Sequence, residues 1–402
     1  MTDVLSKPQA ESAGGFNWPL LALAIGAFSI GVTEFTPMGL LPIIAHGVDV
    51  SIPTAGMLIT AYAVGVMAGA PIMTLALSRL RKRTALILLM GIFTIGNIFA
   101  AIAPGYGFLL VARLITSMNH GAFFGLGVIV AGSLVRPEKR VQAVSTMFMG
   151  LTIANVGGVP AATWLGQQIG WRAAFGVTAL LGLITIASLV RALPAGERGE
   201  KPDLLRELGV LARPAVLRAM GTTVMGAGAM FTLYTYVAPT LTSLTHASGG
   251  FVTLSLVLIG IGFTIGNLLG GRLADWSLDG SAKVFMGLMA LIMLALPFAM
   301  ATHLGAAVGL LLWGVATFAI VPAVQARVMA AAADAPALAS SINIGAFNLG
   351  NALGAAIGGG VLSLGLGYAA VPIAGGILAA VGFGLVFIGG RNRPAENCAC
   401  EA

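Results

Sequence analysis

The chain has 402 residues, of which 58% are hydrophobic and 9% charged, and its mean hydropathy is +0.97. A soluble domain carries roughly 25% charged residues, so this composition excludes a water-soluble globule and implies a chain dissolved in lipid. The formal net charge of +7 would suggest acidic or nucleic-acid partners in a soluble protein; here the positions of the charges decide what it means.

Crossing the hydrocarbon layer takes ~20 mostly apolar residues. In chain order, twelve such stretches are predicted to be transmembrane helices: 19 to 45, 53 to 78, 84 to 103, 107 to 135, 141 to 165, 172 to 193, 216 to 241, 251 to 274, 282 to 301, 304 to 329, 338 to 363 and 369 to 390. Strand-length alternation is absent, which argues against a transmembrane barrel. The segment before the first stretch lacks a short apolar region with a cleavage site and reads as retained. The basic residues then sort by side. Lys7, the group Arg79, Arg81, Lys82 and Arg83, the group Arg136, Lys139 and Arg140, and most of the remainder fall before helix 1 or in alternate connections. Basic residues favour the cytoplasmic side, so both termini are expected inside. The charge is thereby assigned to topology, and no nucleic-acid partner is expected.

Helix 1 contains GVTEFTPMGLLP, in which Glu34 stands between apolar runs. A charged carboxyl at a helix centre costs ~2.5–3.5 kcal/mol on insertion scales, so Glu34 needs a partner or a proton. Pro37 withdraws the hydrogen bond that the carbonyl of Thr33 would accept and is expected to bend the helix there. The opposite charge within a span is Arg113, in helix 4. At ~1.5 Å per residue, Glu34 lies ~22 Å from the cytoplasmic entry of a ~30 Å core and Arg113 lies ~8 Å from the outer entry, which is about the same depth. A proton-coupling pair is the functional reading; a structural ion pair, or a carboxyl in a watery vestibule, is the alternative.

Arg113, Ser117, His120 and Phe124 share one face of helix 4, which is expected to point at a cavity. His120 could relay protons near neutral pH, or could be a neutral side chain bonded to a neighbouring helix. In helix 5, Gly157, Gly158 and Pro160 mark a break of the kind that gates or hinges. Further cavity-facing candidates are Phe35, Asn119, Phe123, Asn155, Tyr234, Tyr236, Asn343, Asn348 and Asn351. They supply aromatic faces and neutral hydrogen-bonding groups, which suits a neutral polar or amphipathic small molecule. No metal-ligand spacing occurs: His46, His246 and His303 are scattered, and Cys398 and Cys400 stand without nearby histidines.

An internal repeat organises the chain. One offset of 197 places Pro42 on Pro239, Gly65 on Gly262, Gly69 on Gly266, Gly157 on Gly354 and Gly170 on Gly367. The expected organisation is an all-α membrane protein with two pseudo-symmetric six-helix bundles, residues 1–193 and 216–402, joined by a linker, 194–215, in which Leu204, Leu208 and Leu211 share one face of an interfacial helix. Two such halves around a midplane cavity suit alternating access.

Four stretches carry a family resemblance. APIMTLALSRLRKR resembles the cytoplasmic loop motif of the major facilitator superfamily, with Ser78 at its acidic position and Arg79 among the retained basic ones; GGRLADW, with Arg272 and Asp275, is its repeat partner. ARLITSMNHGAF resembles the motif with an embedded arginine, and GLTIANVGGVPAATWLG the glycine and proline motif of antiporters. TEFTPMGLLP and SINIGAFNLGNALGAAIGG are similar to bacterial exporters of sugars, purine nucleosides or antibiotics. The resemblance implies the twelve-helix major facilitator fold and a proton-coupled efflux transporter, with Glu34, Arg113 and His120 in proton coupling and Pro37, Ser78, Arg79, Gly157, Gly158, Pro160, Arg272 and Asp275 in gating. Protons would be the coupling ion, with no other cofactor. It further implies a monomer in a bacterial inner membrane. A facilitator or proton symporter for uptake is the second reading. The third, a polytopic membrane enzyme, is disfavoured because no H-E-x-x-H, paired Asp or intramembrane Gly-x-Ser-Gly is present.

Overall fold

A computed structural model describes residues 17–194, 213–332 and 336–391. The predicted interfacial helix of the linker, with Leu204, Leu208 and Leu211, lies outside these residues, as do Cys398 and Cys400. The described chain folds into long helices: α1 (Trp18–Gly47), α2 (Ile52–Leu77), α3 (Lys82–Ala101), α4 (Tyr106–Ser133), α5 (Pro137–Ile169) and α6 (Trp171–Ala192), then α7 (Pro214–Tyr234, continuing as Val237–Leu244), α8 (Gly249–Trp276), α9 (Leu278–Ala299), α10 (His303–Ala331), α11 (Pro336–Ser363) and α12 (Ala370–Arg391). All but α11 meet the length and apolarity for a membrane span among the described residues, and α11 runs for 28 residues.

Short polar caps set several of the helix starts. Asn17 accepts the backbone N–H of Leu20 at 3.2 Å to open α1, Ser51 that of Thr54 at 3.3 Å to open α2, and Thr302 that of Gly305 at 3.0 Å to open α10. Each satisfies one of the donors that a helix leaves free at its first turn. The starts also preserve the repeat: α2 and α8 begin at Ile52 and Gly249, and α4 and α10 at Tyr106 and His303, each pair 197 residues apart.

Three helices are interrupted. Turns break α4 at Met118 and Asn119 and α7 at Thr235 and Tyr236, and α5 widens into a π-helical turn over Ala154–Gly158. The wide turn lies just before Pro160, which has no N–H for the carbonyl of Val156.

Within each half, small residues bring helices together. A side chain at Gly266 or Gly270 of α8 would run into the backbone of Val315 or Ala319 in α10. This spacing of four residues is the close-approach pattern of membrane helices. Between the halves, α2 packs on α11 and α5 on α8, and α1 meets the second segment of α7. The largest apolar core crosses this boundary, with Phe35, Met38, Leu41, Ile59 and Val159 of the first half joining Phe231, Tyr234, Val237 and Leu256 of the second. It lies towards the end of the bundle that carries the α1–α2 turn, called here the outer end.

Candidate functional site

The buried polar centre of the first half is built from α1, α2, α3 and α4. Glu34, midway along α1, is 6% exposed, and its Oε2 lies 3.9 Å from Nδ1 of His120. That distance is an ion-pair contact if the imidazole is protonated, and too long for a direct hydrogen bond. The same Nδ1 lies 3.2 Å from the hydroxyl of Tyr62 on α2, so the tautomer of His120 decides which atom donates. His120 begins the second segment of α4, directly after the turn at Met118 and Asn119.

Arg113 is 1% exposed. Its Nη1 donates to the carbonyl of Thr33 at 2.9 Å, and its guanidinium lies 4.1 Å from the Tyr62 ring centroid and 5.9 Å from that of Phe175. Among the described residues it makes no ion pair with Glu34; it reaches the backbone one residue before the carboxylate instead. Among the described residues its Nε and Nη2 have no hydrogen-bond partner. A buried guanidinium with unused donors is costly unless something else completes it, so the centre holds a cation ready to accept a carboxylate or a ligand oxygen. The Thr33 hydroxyl donates to Oδ1 of Asn97 at 2.6 Å and Asn97 donates back to the carbonyl of Phe93 at 2.9 Å, which pins α1 to α3 beside the charge.

One residue further on, α1 faces a different environment. Phe35 packs on Phe231 and Tyr234 of the second half, with ring centroids 6.3 and 5.7 Å apart. Tyr234 continues into Phe263 at 5.6 Å and Trp313 at 6.0 Å. Consecutive residues of one helix therefore serve the buried charge and the aromatic contact between the halves.

The remaining expected site residues divide by what they touch. Ser117 donates to the carbonyl of Leu114 at 2.7 Å and packs against Gly65 of α2, and Phe123 sits on Gly26 of α1, so both take part in helix packing inside the first half. The helix face predicted to point at a cavity is thus turned largely toward α1 and α2. Phe124 bridges His120 and Phe148, at 5.2 and 5.3 Å between centroids. Tyr236 donates to the carbonyl of Ala355 at 2.9 Å and presses on Gly56 of α2, making it part of the contact between the halves. Asn343 accepts from Thr223 at 2.6 Å and donates to Gln325, which closes it into the second half. Asn119, Asn155, Asn348 and Asn351 are buried, and among the described residues their Oδ1 atoms have no hydrogen-bond partner.

The gate residues also separate. Gly158 lies against Val32 and Phe28 of α1, while a side chain at Gly157 would meet open space. Pro37 lies inside the continuous α1. The Ser78 hydroxyl donates to the carbonyl of Leu75 at 2.8 Å and Arg79 is exposed. Arg272 and Asp275 are exposed too; the acid engaged at that end of the second half is Asp279, 3.0 Å from Arg327. Tyr62, Thr33, Asn97, Asp279 and Arg327 were not singled out by sequence reasoning. Tyr62 carried a signal, as a tyrosine among the small residues of AYAVGVMAGA.

Comparison with known proteins places the chain in a family. Residues 23–359 match the Major Facilitator Superfamily. The chain is 61% identical over 386 residues to the Inner membrane transport protein YdhP of Escherichia coli (strain K12), covering 96% of this chain and 99% of that protein. It is 30% identical over 378 residues to a Probable sugar efflux transporter of Haemophilus influenzae (strain PittGG), covering 92% and 93%. A bacterial homolog of the human lysosomal transporter Spinster, solved in an inward-facing and unoccupied conformation, shares the fold with a TM-score of 0.75 at 17% identity, over 94% of this chain and 98% of that one. The chain belongs to the Major Facilitator Superfamily and is a multi-pass membrane transporter.

Proposed function

We propose that the chain is a proton-coupled exporter of a small neutral polar or amphipathic molecule, working as a monomer in a bacterial inner membrane with both termini in the cytoplasm. The observation that carries this reading is the adjacency of Glu34 and Phe35 on α1: the first belongs to the buried charged centre and the second to the aromatic contact that joins the halves. A proton bound or released at Glu34 changes the charge balance against Arg113 and His120, and a shift of α1 in response moves Phe35 against Phe231 and Tyr234. The two-half architecture supports alternating access by rocking of one half on the other. Neutral acceptors at Asn119, Asn155, Asn348 and Asn351 favour an uncharged substrate.

The test begins with a thermal-shift screen of sugars, nucleosides and antibiotics on the purified protein. The hit is then followed in proteoliposomes under an imposed pH gradient. Export coupled to proton entry predicts that substrate accumulates on the acidic side. Accumulation on the alkaline side would identify symport and overturn the exporter reading, and movement indifferent to the gradient would overturn proton coupling.

A further inference from the structure

The internal repeat exposes a corner of the first half that, among the described residues, lacks a counter-charge. The offset of 197 that aligns the starts of α2 with α8 and α4 with α10 places Lys82 on Asp279 and Val130 on Arg327. In the second half this corner, where α9 begins and α10 nears its end, is closed by the Asp279–Arg327 ion pair at 3.0 Å. In the first half it is a cavity of about 240 Å³ bordered by Lys82, Arg83, Val130, Ser133 and Leu193. A water's share of the liquid is about 30 Å³, so the space holds several waters or one hydrated oxyanion.

Among the described residues, the charge of this cavity has one sign. Arg83 donates through Nη2 to the carbonyl of Val190 near the end of α6, which fixes its head beside the opening. Among the described residues the Lys82 side chain makes no hydrogen bond or ion pair. Among the described residues no carboxylate lines the cavity, while Val130 and Leu193 give it an apolar wall. The corner lies where three helices reach the end of the bundle, which is the level of the lipid headgroups, and basic pockets between membrane helices suit phosphate headgroups.

We propose that this corner binds a phosphate-type oxyanion, with Lys82 as its point charge and Arg83 presenting its free N–H groups, in the place that the Asp279 carboxylate occupies in the second half. An anionic phospholipid headgroup and free inorganic phosphate share this chemistry; the apolar wall favours the lipid. Such a ligand would neutralise the first half as the ion pair neutralises the second.

The experiment uses the purified full-length protein in detergent, with short-chain phosphatidylglycerol, short-chain phosphatidylcholine and inorganic phosphate as probes at matched ionic strength. Thermal unfolding gives the apparent affinity, and native mass spectrometry counts retained lipid. Phosphatidylglycerol is expected to raise the unfolding midpoint where phosphatidylcholine does not. Lys82→Gln is expected to weaken that response at least tenfold, while Arg79→Gln, on the same connection and exposed, leaves it within twofold. A phosphate response lost in Lys82→Gln supports the free ion as ligand; a response to phosphatidylglycerol alone supports the lipid. The double change Lys82→Asp with Val130→Arg imports the ion pair and should abolish the response; if it does not fold, Lys82→Gln decides alone. The proposal is overturned if neither anion shifts the midpoint, if Lys82→Gln responds like the wild type, if Arg79→Gln loses as much, or if phosphatidylcholine binds equally well.

Discussion

The guanidinium of Arg113 sits 4.1 Å from the centroid of the Tyr62 ring, and the hydroxyl of that ring lies 3.2 Å from His120 Nδ1. One side chain of α2 thus holds both basic groups of the buried centre, each by a different interaction. A desolvated cation over an aromatic face gains about 2 kcal/mol, and a net hydrogen bond about 1 kcal/mol. Tyr62→Leu, which removes both, is expected to destabilise the protein by about 3 kcal/mol. Tyr62→Phe keeps the face and should cost about 1 kcal/mol. Unfolding in mixed micelles measures the difference, and equal losses in the two variants would mean that the ring face does not hold Arg113.

The proposed coupling makes a sharper demand on Glu34. Glutamine keeps the size and hydrogen-bonding capacity of the side chain but cannot exchange a proton, so Glu34→Gln mimics one protonation state permanently. Transport driven by a pH gradient should fall to background in this variant, while substrate binding and downhill exchange persist. Binding is read by thermal shift and exchange by isotope counterflow in proteoliposomes. Full gradient-driven activity would remove Glu34 from the coupling step.

Much of this was legible in the sequence because membrane helices declare themselves by length and apolarity. The predicted stretch of residues 304 to 329 lies within α10 at His303–Ala331, and the residues predicted at 53 to 78 fall on α2 except for Ser78, which caps its end. The repeat could be read for the same reason: Gly262 and Gly266 must be small where α8 meets α10, and their counterparts Gly65 and Gly69 must be small where α2 meets α4. Partner choice was less legible. Ser117 shares a helix face with His120, yet it spends its hydroxyl on Leu114 and its surface on Gly65, because periodicity reports a face and not which neighbour covers it. Arg113 and Glu34 share a depth, but the cation is held by the Thr33 carbonyl and an aromatic ring from another helix. That choice depends on the rotation of three helices about their axes, which no single span encodes.

The second half shows the same limit at its inner end. Sequence similarity draws attention to Asp275, which is exposed, while Asp279 is 23% exposed and pairs with Arg327 at 9%. Exposed pairs contribute up to about 1 kcal/mol, and breaking a buried one costs about 3–5 kcal/mol. Asp279→Asn, intermediate between them, is expected to cost about 2 kcal/mol and Asp275→Asn less than about 0.5 kcal/mol. The ordering should appear in denaturant midpoints. A larger loss at Asp275 would show that the paired acid does not stabilise this end.

The boundary between the halves offers a test that needs no substrate. Gly260 of α8 faces the widened turn of α5, and a Cβ there would lie 2.7 Å from the carbonyl carbon of Asn155 and 2.8 Å from Cα of Val156. Both are backbone atoms, so no rotamer change relieves the clash; α5 and α8 must separate by about 1 Å to restore an ordinary contact of 3.5–4.0 Å. Separation weakens the neighbouring clasp, in which Gln167 of α5 donates to the carbonyl of Gly249 at 3.2 Å and accepts from Thr253 at 3.3 Å. Gly260→Ala should therefore favour the conformation in which the outer end is open. Gly271 is the control, since it lies in the same helix and a Cβ there meets nothing within 4 Å. Both changes gain the same helix propensity, ~1 kcal/mol, so a difference between them reports the clash alone. With Cys398 and Cys400 replaced by serine, a single cysteine at Val252, which is 4% exposed in the closed contact, serves as the reporter. Labelling by an impermeant maleimide is expected to be several-fold faster in Gly260→Ala than in Gly271→Ala or the parent. Equal rates in all three would mean that the packing of α5 on α8 does not hold the outer end shut.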